Sequence, residues 1–313
     1  MDTNTTAHPA ASDANRNPLP LTPPWRIGVD VGGTFTDLVL QDAAGRLAIA
    51  KVPSVPADPS QGVLAAVERC AAQVGLDVQA LLAGCDIFVH GSTVATNTIL
   101  EGKGARVGML TTAGFRDSLE IRRGLRENQW DHRTPFPPPL VPRYLRLPVG
   151  GRIAAGGAEI EPVALDDVRR ALAAFRDEGV EAVAICLMNA YAHPAPEEAV
   201  AAVARETSNE WPVSVSSDVM PIVGEYERGS TTVVNAYVAP RVVPYLRALD
   251  ERLRAGGLRH GLLLMQSNGG IASVDQVGVR PVNLALSGPA AGVGALRLFA
   301  RAAGTDNLIS MEI

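Results

Sequence analysis

The segment Asp30-Val-Gly-Gly-Thr-Phe-Thr-Asp37 sets a carboxylate at each end of a glycine pair flanked by threonines. Glycines at 32 and 33 let backbone amides approach a phosphate with no Cβ in the way. Thr34 and Thr36 can add hydroxyl donors. Asp30 and Asp37 can hold a hydrated Mg²⁺, Asp30 through water, whose charge offsets that of phosphates. Two other phosphate loops are excluded. A Walker loop needs GxxxxGK[ST], and no Lys follows the glycines; a dinucleotide fingerprint opens a helix, whereas Thr36 to Leu40 reads as strand. A tight hairpin without ligand is the plain alternative, and acids at both ends with two threonines argue against it.

Other candidates stand further along. In His90-Gly-Ser-Thr-Val-Ala-Thr-Asn97, a strand end precedes a Gly-Ser-Thr turn and a helix. Free amides and hydroxyls there suit an anionic or carbonyl ligand, lined by Ser92, Thr93, Thr96 and Asn97; ordinary capping by Ser92 or Thr93 is the competing reading. Met265-Gln-Ser-Asn-Gly-Gly270 places Gln266, Ser267 and Asn268 at the end of a buried strand, where α/β folds bind ligands. Glu225, Glu227 and Arg228 precede a helix bearing Thr231, Thr232 and Asn235, a pattern that dipole-compatible capping also explains. Arg122, Arg123 and Arg126 suit an anionic substrate or a solvated face equally. Asp131-His132 and His193 fit no metal-ligand spacing.

These residues need a scaffold, and the pattern is that of an α/β protein. Residues 26–40 read as strand, glycine turn, strand, and residues 47–52 as a third strand, together a β-meander. Asp58-Pro59 starts a helix that runs to Val74, with Asp as N-cap. Residues 87–89, 94–101 and 105–110 follow as strand, helix, strand, a βαβ unit with parallel strands. Residues 122–143, crowded with Arg, Trp, His and Pro, form a long ordered loop. Helix 165–177, strand 182–187, helix 195–206 and strand 213–216 continue the alternation. A long helical stretch from Tyr226 to Arg254 is interrupted at Pro240 and Pro244. Residues 262–266 form a buried strand, Asn268-Gly-Gly270 a hairpin turn, residues 287–303 a helix, and residues 307–313 the start of a strand.

The 313 residues suffice for about two domains, with 47% hydrophobic residues to fill their cores. Residues 1–24, polar and rich in Ala, Asn and Pro, read as a disordered tail. Lys and Arg number 28 against 33 Asp and Glu, with no basic tract, which argues against nucleic acid. No apolar run approaches the roughly 20 residues that cross a bilayer. There is no secretory signal pattern, and Cys70, Cys85 and Cys186 are widely spaced, so a cytoplasmic location is expected.

The motifs also carry a family resemblance. Asp30 to Asp37 resembles the first phosphate motif of the actin/Hsp70/sugar-kinase superfamily. His90 to Asn97 is similar to the HGTTVATN segment of the hydantoinase A, 5-oxoprolinase and acetone carboxylase β-subunit group. So are Gly114-Phe-Arg-Asp117, Glu225-Tyr-Glu-Arg-Gly-Ser-Thr-Thr232, Asn235-Ala-Tyr237, Met265 to Gly270 and Ser287-Gly-Pro-Ala-Ala-Gly292, in the family's order. The resemblance implies a ribonuclease H-like fold of mixed sheets with flanking helices, with an N-terminal domain over 25–205 and the start of the family's core domain over 206–313. It implies ATP and Mg²⁺ as cofactors. The substrate would be a cyclic amide such as hydantoin or 5-oxoproline, or alternatively a ketone such as acetone or acetophenone. It also implies a companion subunit of the hydantoinase B type or a homo-oligomer. On this reading Asp30 and Asp37 are catalytic; Gly32, Gly33, Thr34 and Thr36 hold phosphate; and His90, Ser92, Thr93, Thr96, Asn97, Glu227, Gln266 and Asn268 face the substrate. In that family a second glycine hairpin follows the strand that begins at Asn307. The expectation is therefore a second lobe that is incomplete and a chain that does not hydrolyse ATP alone, or that serves only as an assembly partner.

Overall fold

A computed structural model describes residues 21–125, 128 and 130–311. Most of the expected tail, together with Arg126 and the last two residues, lies outside them. Order begins before Trp25. Leu21 packs against the core, and the Thr22 amide donates to Asp42 Oδ2 at 3.0 Å.

The first strands are β1 (Trp25–Val31), β2 (Phe35–Gln41) and β3 (Leu47–Pro53). In β1 buried and exposed residues alternate strictly, the signature of a sheet with one covered face. Helix α1 (Pro59–Val74) covers that face. Asp58 caps it by accepting from the Ser60 amide, and Gly75 closes it in the left-handed conformation. After α2 (Val78–Ala83), β4 (Cys85–Ser92) returns parallel to β1.

Helix α3 (Val94–Leu100) leads to β5 (Val107–Thr112), followed by α4 (Ser118–Ile121), β6 (Arg146–Val149) and a ribbon of β7 (Arg152–Ile153) and β8 (Glu159–Glu161). The chain continues through α5 (Leu165–Asp177), β9 (Ala182–Cys186), α6 (Ala195–Thr207), β10 (Val213–Val215) and α7 (Ser216–Val219). It ends with α8 (Glu225–Ala255), β11 (Leu262–Met265), β12 (Ile271–Ser273), α9 (Val274–Val279) and α10 (Ser287–Ala303). Two sheets result: a mixed one ordered β12-β11-β4-β1-β2-β3 and a parallel one ordered β10-β9-β5-β6. Every residue of β5 and β9 is buried, as expected for strands covered on both faces.

Three expectations need correction. The β4-α3-β5 segment is not a βαβ unit: β4 lies in the first sheet and β5 in the second. Helix α3 packs on α8 rather than back on β4, so the chain is carried across to the other sheet. Helix α8 is not interrupted at Pro240 and Pro244 but runs through both. The two prolines are one helical turn apart and half-buried or exposed, while Val233, Ala236, Val238, Val242, Leu246, Leu249 and Leu253 are buried. Packing of that buried stripe outweighs the two missing amide donors. Finally, residues 307–311 are irregular rather than strand, having no neighbouring strand to pair with among the described residues.

Helix α8 joins the two halves. It packs on β9, β10 and β5 of one sheet and on α1 beneath the other. One continuous apolar cluster runs from Trp25 to Leu284. Helix α10 is different: Ser287 is its buried residue, and Val293, Leu298 and Phe299 face outward.

Candidate functional site

Strands β1, β4 and β11 are parallel, so their carboxyl ends meet at one edge of the first sheet. The Gly32–Thr34 turn, the Ser92–Thr93 turn and the Gln266–Gly270 turn all lie there. Three of the sequence motifs therefore come together although they are far apart in the chain.

The glycine turn is open. The Gly32 amide donates to Phe35 O at 3.0 Å, as in a tight hairpin. No hydrogen bond of the Gly33 or Thr34 amide is found among the described residues, and both residues are exposed. A Cβ added at Gly33 would meet nothing within 4 Å, so the protein itself does not require glycine there on steric grounds. The turn is braced from beneath: the Ser54 amide donates to Thr34 O at 2.9 Å and the Ser54 hydroxyl to Gly32 O at 2.8 Å.

Thr36 belongs to this brace and not to the open side. It is fully buried, with its Oγ1 3.0 Å from Ser54 Oγ, and a Cβ on Gly62 of α1 would come within 2.6 Å of it. Strand alternation explains the correction: Thr36 points to the α1 face, while Phe35 and Asp37 point to the other. Asp30 and Asp37 are direct cross-strand partners on that other face. Asp30 lies beside Gly91, where an added Cβ would come to 3.0 Å from its Oδ1. Asp37 is held by Lys51 Nζ at 2.8 and 2.9 Å.

His90 does not line the edge. It is fully buried on the opposite face, with Nε2 2.8 Å from Tyr245 Oη and Nδ1 without a hydrogen-bond partner among the described residues. Burial drives its pKa down to about 4, so the imidazole is neutral at pH 7. Alternation along β4 puts His90 on the same buried face as Phe88 and Ser92.

The neighbouring hydroxyls act mainly as struts. Ser92 Oγ accepts from the Val94 amide at 3.2 Å, a local turn contact, while Thr93 at the N-cap position of α3 makes no side-chain cap bond among the described residues. Thr93 Oγ1 donates to Val31 O at 3.3 Å and accepts from Asn97 Nδ2 at 3.2 Å, which ties α3 to the end of β1. Thr96 Oγ1 accepts from the Leu286 amide at 3.0 Å. Leu286 has φ +61°, a left-handed conformation that costs a leucine about 1–3 kcal/mol. It opens α10 at this edge, and among the described residues no side chain caps the helix. In the third turn, Gln266 is half-buried and Asn268 Oδ1 accepts from the Gly270 amide at 2.8 Å, with Gly269 at φ +79°.

Two regions of the chain match family models. Residues 26–208 match the hydantoinase/oxoprolinase N-terminal region, and residues 228–313 match hydantoinase/oxoprolinase. The chain belongs to the hydantoinase/oxoprolinase family. It is 37% identical to caprolactamase subunit alpha of Pseudomonas jessenii, over 92% of this chain and 42% of that protein. It is 35% identical to the acetophenone carboxylase gamma subunit of Aromatoleum aromaticum, over 92% and 41%. The crystal structure of the Pseudomonas jessenii ATP-dependent caprolactamase superposes with a TM-score of 0.82 over 92% of this chain and 42% of that one. A nucleotide-free acetone carboxylase superposes with 0.81 at 26% identity, over 90% and 41%. The chain thus spans about two fifths of the length of these relatives.

In this family member Glu227 is not joined to the strand edge by any hydrogen bond among the described residues. It pairs with Arg123 at 2.5 Å near the start of α8, and that contact holds its carboxyl below the usual range. The same end of α8 holds a buried polar network. Arg228 donates to Ser216 Oγ and to Leu187 O, both at 2.7 Å, and also bonds Glu225. Glu197 accepts from the Leu187 amide at 2.7 Å, Ser216 Oγ at 2.6 Å and the Ser217 amide at 2.9 Å. Burial pushes Glu197 up in pKa, partly offset by these donors. Among the described residues no group of His, Cys, Asp and Glu forms a metal cluster, and no helix is long and apolar enough to cross a membrane. Asp131 instead stabilises its own loop by accepting from the Arg133 amide at 3.0 Å.

Sequence reasoning missed Ser54, Lys51 and Tyr245. Ser54 and Lys51 sit on or just after β3, opposite the glycine motif, and pairing register alone brings them there. Tyr245 reaches His90 from 155 positions away.

Proposed function

We propose that the edge formed by Gly32–Thr34, Thr93–Asn97, Gln266–Asn268 and the start of α10 is the phosphate-binding half of an ATP site. The protein uses it to activate a cyclic amide for ring opening. The observation that carries this reading is the open, braced glycine turn beside Asp30 at the ends of parallel strands, whose Gly33 and Thr34 amides make no hydrogen bond among the described residues. Gly33 and Thr34 donate to phosphate oxygens, with the Thr34 hydroxyl beside them; the uncapped first turn of α10 adds further amides. When bound, MgATP supplies the transferable phosphoryl group and a divalent charge against the polyphosphate. Asp30 fits such a metal as a carboxylate acting through water, and the chain's own task is positioning and charge balance. Gln266, Asn268, Thr96 and Asn97 are the candidates to orient the substrate carbonyl. The arrangement resembles the actin/Hsp70/sugar-kinase plan. The relatives named as subunits support a companion chain, and the buried free cysteines fit a reducing compartment such as the cytoplasm.

The similarity to caprolactamase favours a lactam; that to the acetophenone carboxylase subunit favours a ketone as the second reading. Calorimetric titration with MgATP tests the cradle, with Gly33→Val filling the space above the turn. Wild type is expected to bind and the variant to lose binding. A wild type that binds no nucleotide, or a variant that binds as well, refutes the reading. Phosphate release on adding caprolactam, 5-oxoproline or acetone, with the companion chain present, separates the two substrate classes.

A further inference from the structure

Resting on that reading, the geometry points to Lys51 as the cation of the phosphate cradle. A triphosphate needs positive charge beside the amides that grip it, and in Walker loops a lysine within the loop provides it. The turn here has none. Of the cations from Asp30 to Ser54, Arg46 is bound to Asp42 at the far end of the β2-β3 hairpin, which leaves Lys51.

Lys51 lies opposite Asp37 on β3, on the face that carries Phe35, Asp37 and Asp30. Its ammonium leans toward the turn. Nζ is 4.8 Å from the centre of the Phe35 ring, two residues nearer the glycines than Asp37. The side chain is half exposed, so it can move. Two contacts hold the cation: the Asp37 carboxylate and the Phe35 ring both stabilise it. On nucleotide binding the ammonium transfers from Asp37 to the phosphate oxygens. Asp37 then serves as the counter-ion that holds Lys51 in readiness, and Asp30 remains as the carboxylate for the metal.

The test measures binding of MgATP and of inorganic tripolyphosphate to wild type, Lys51→Met, Lys51→Arg and Asp37→Asn. An exposed ion pair contributes little to stability, so all four are expected to fold, with circular dichroism as the check. A hydrogen bond to a charged group predicts roughly tenfold or greater weakening in Lys51→Met, largely restored in Lys51→Arg. The salt dependence of binding should also become shallower in Lys51→Met. Asp37→Asn frees the ammonium and should bind more tightly than wild type. Wild-type affinity in Lys51→Met overturns the assignment while leaving the cradle intact. Equal weakening in Asp37→Asn and Lys51→Met also overturns it, because Lys51 would then act only by positioning Asp37. If wild type binds neither probe, the cradle and the assignment fall together.

Discussion

Acidification should destabilise this protein through His90, a histidine that sequence placed in a pocket and the fold places in the core. The imidazole is fully buried between β4 and α8, with Tyr245 as its hydrogen-bond partner. Its pKa falls from the ordinary 6.5 to about 4 in the folded state. The sign follows from proton counting. Between those values the unfolded chain binds a proton that the folded chain refuses, so stability falls as pH falls. The contribution is complete above pH 6.5, is lost progressively below it and levels off below pH 4. Linkage from these two values gives a loss of about 2 kcal/mol between pH 7 and pH 5. Urea unfolding at several pH values, for wild type and His90→Phe, isolates this share, because the carboxylates titrate alike in both. The wild-type curve should fall more steeply by that amount, and the His90 imidazole resonance should hold still down to pH 5. Parallel curves, or a resonance that titrates near 6.5, would refute the argument.

Two further outcomes follow from other buried groups. Arg228→Met leaves Glu197 buried without its cation, and removing one partner of a buried pair costs about 3–5 kcal/mol; a urea midpoint that shifts by the equivalent of less than 1 kcal/mol would show that the network is not needed. Cys70, Cys85 and Cys186 are all buried, and burial pushes Cys70 up to about 11 and the others to about 12. Ellman's reagent should therefore find no thiol in the native protein and three in guanidinium, and a rapidly reacting native thiol would contradict the packing.

What could be read from sequence was local. Asp58-Pro59 fixed the start of α1 because an N-cap carboxylate and a helical proline are chemistry of adjacent residues. The apolar spacing in residues 165–177 likewise gave α5 in full. The meander with its glycine turn was legible for the same reason. Assignment of strands to sheets was not: β4 and β5 look like consecutive parallel strands until α8, more than a hundred residues later, is seen to take α3 away from them. The site divided along the same line. Asp30, Gly33 and Thr34 could be read together because the motif is contiguous, and the fold leaves all three exposed. Thr36 and His90 were misplaced because strand alternation turns them inward, and that direction depends on which face α1 and α8 cover. Lys51 carried no signal in one dimension, since its meaning lies in the register with Asp37.

Helix α8 has a practical consequence for dissecting this protein. Its 31 residues make a strut of about 46 Å. The strut begins beyond residue 208, where the first matched region ends, yet its side chains fill the interior behind both sheets. A truncation at that seam would strip the first region of its keel, leaving Met109, Cys186 and Leu119 around the vacated place of Gly229 in contact with water. The two matched regions are therefore expected to fold as one unit, with heat melting them together in a single calorimetric transition.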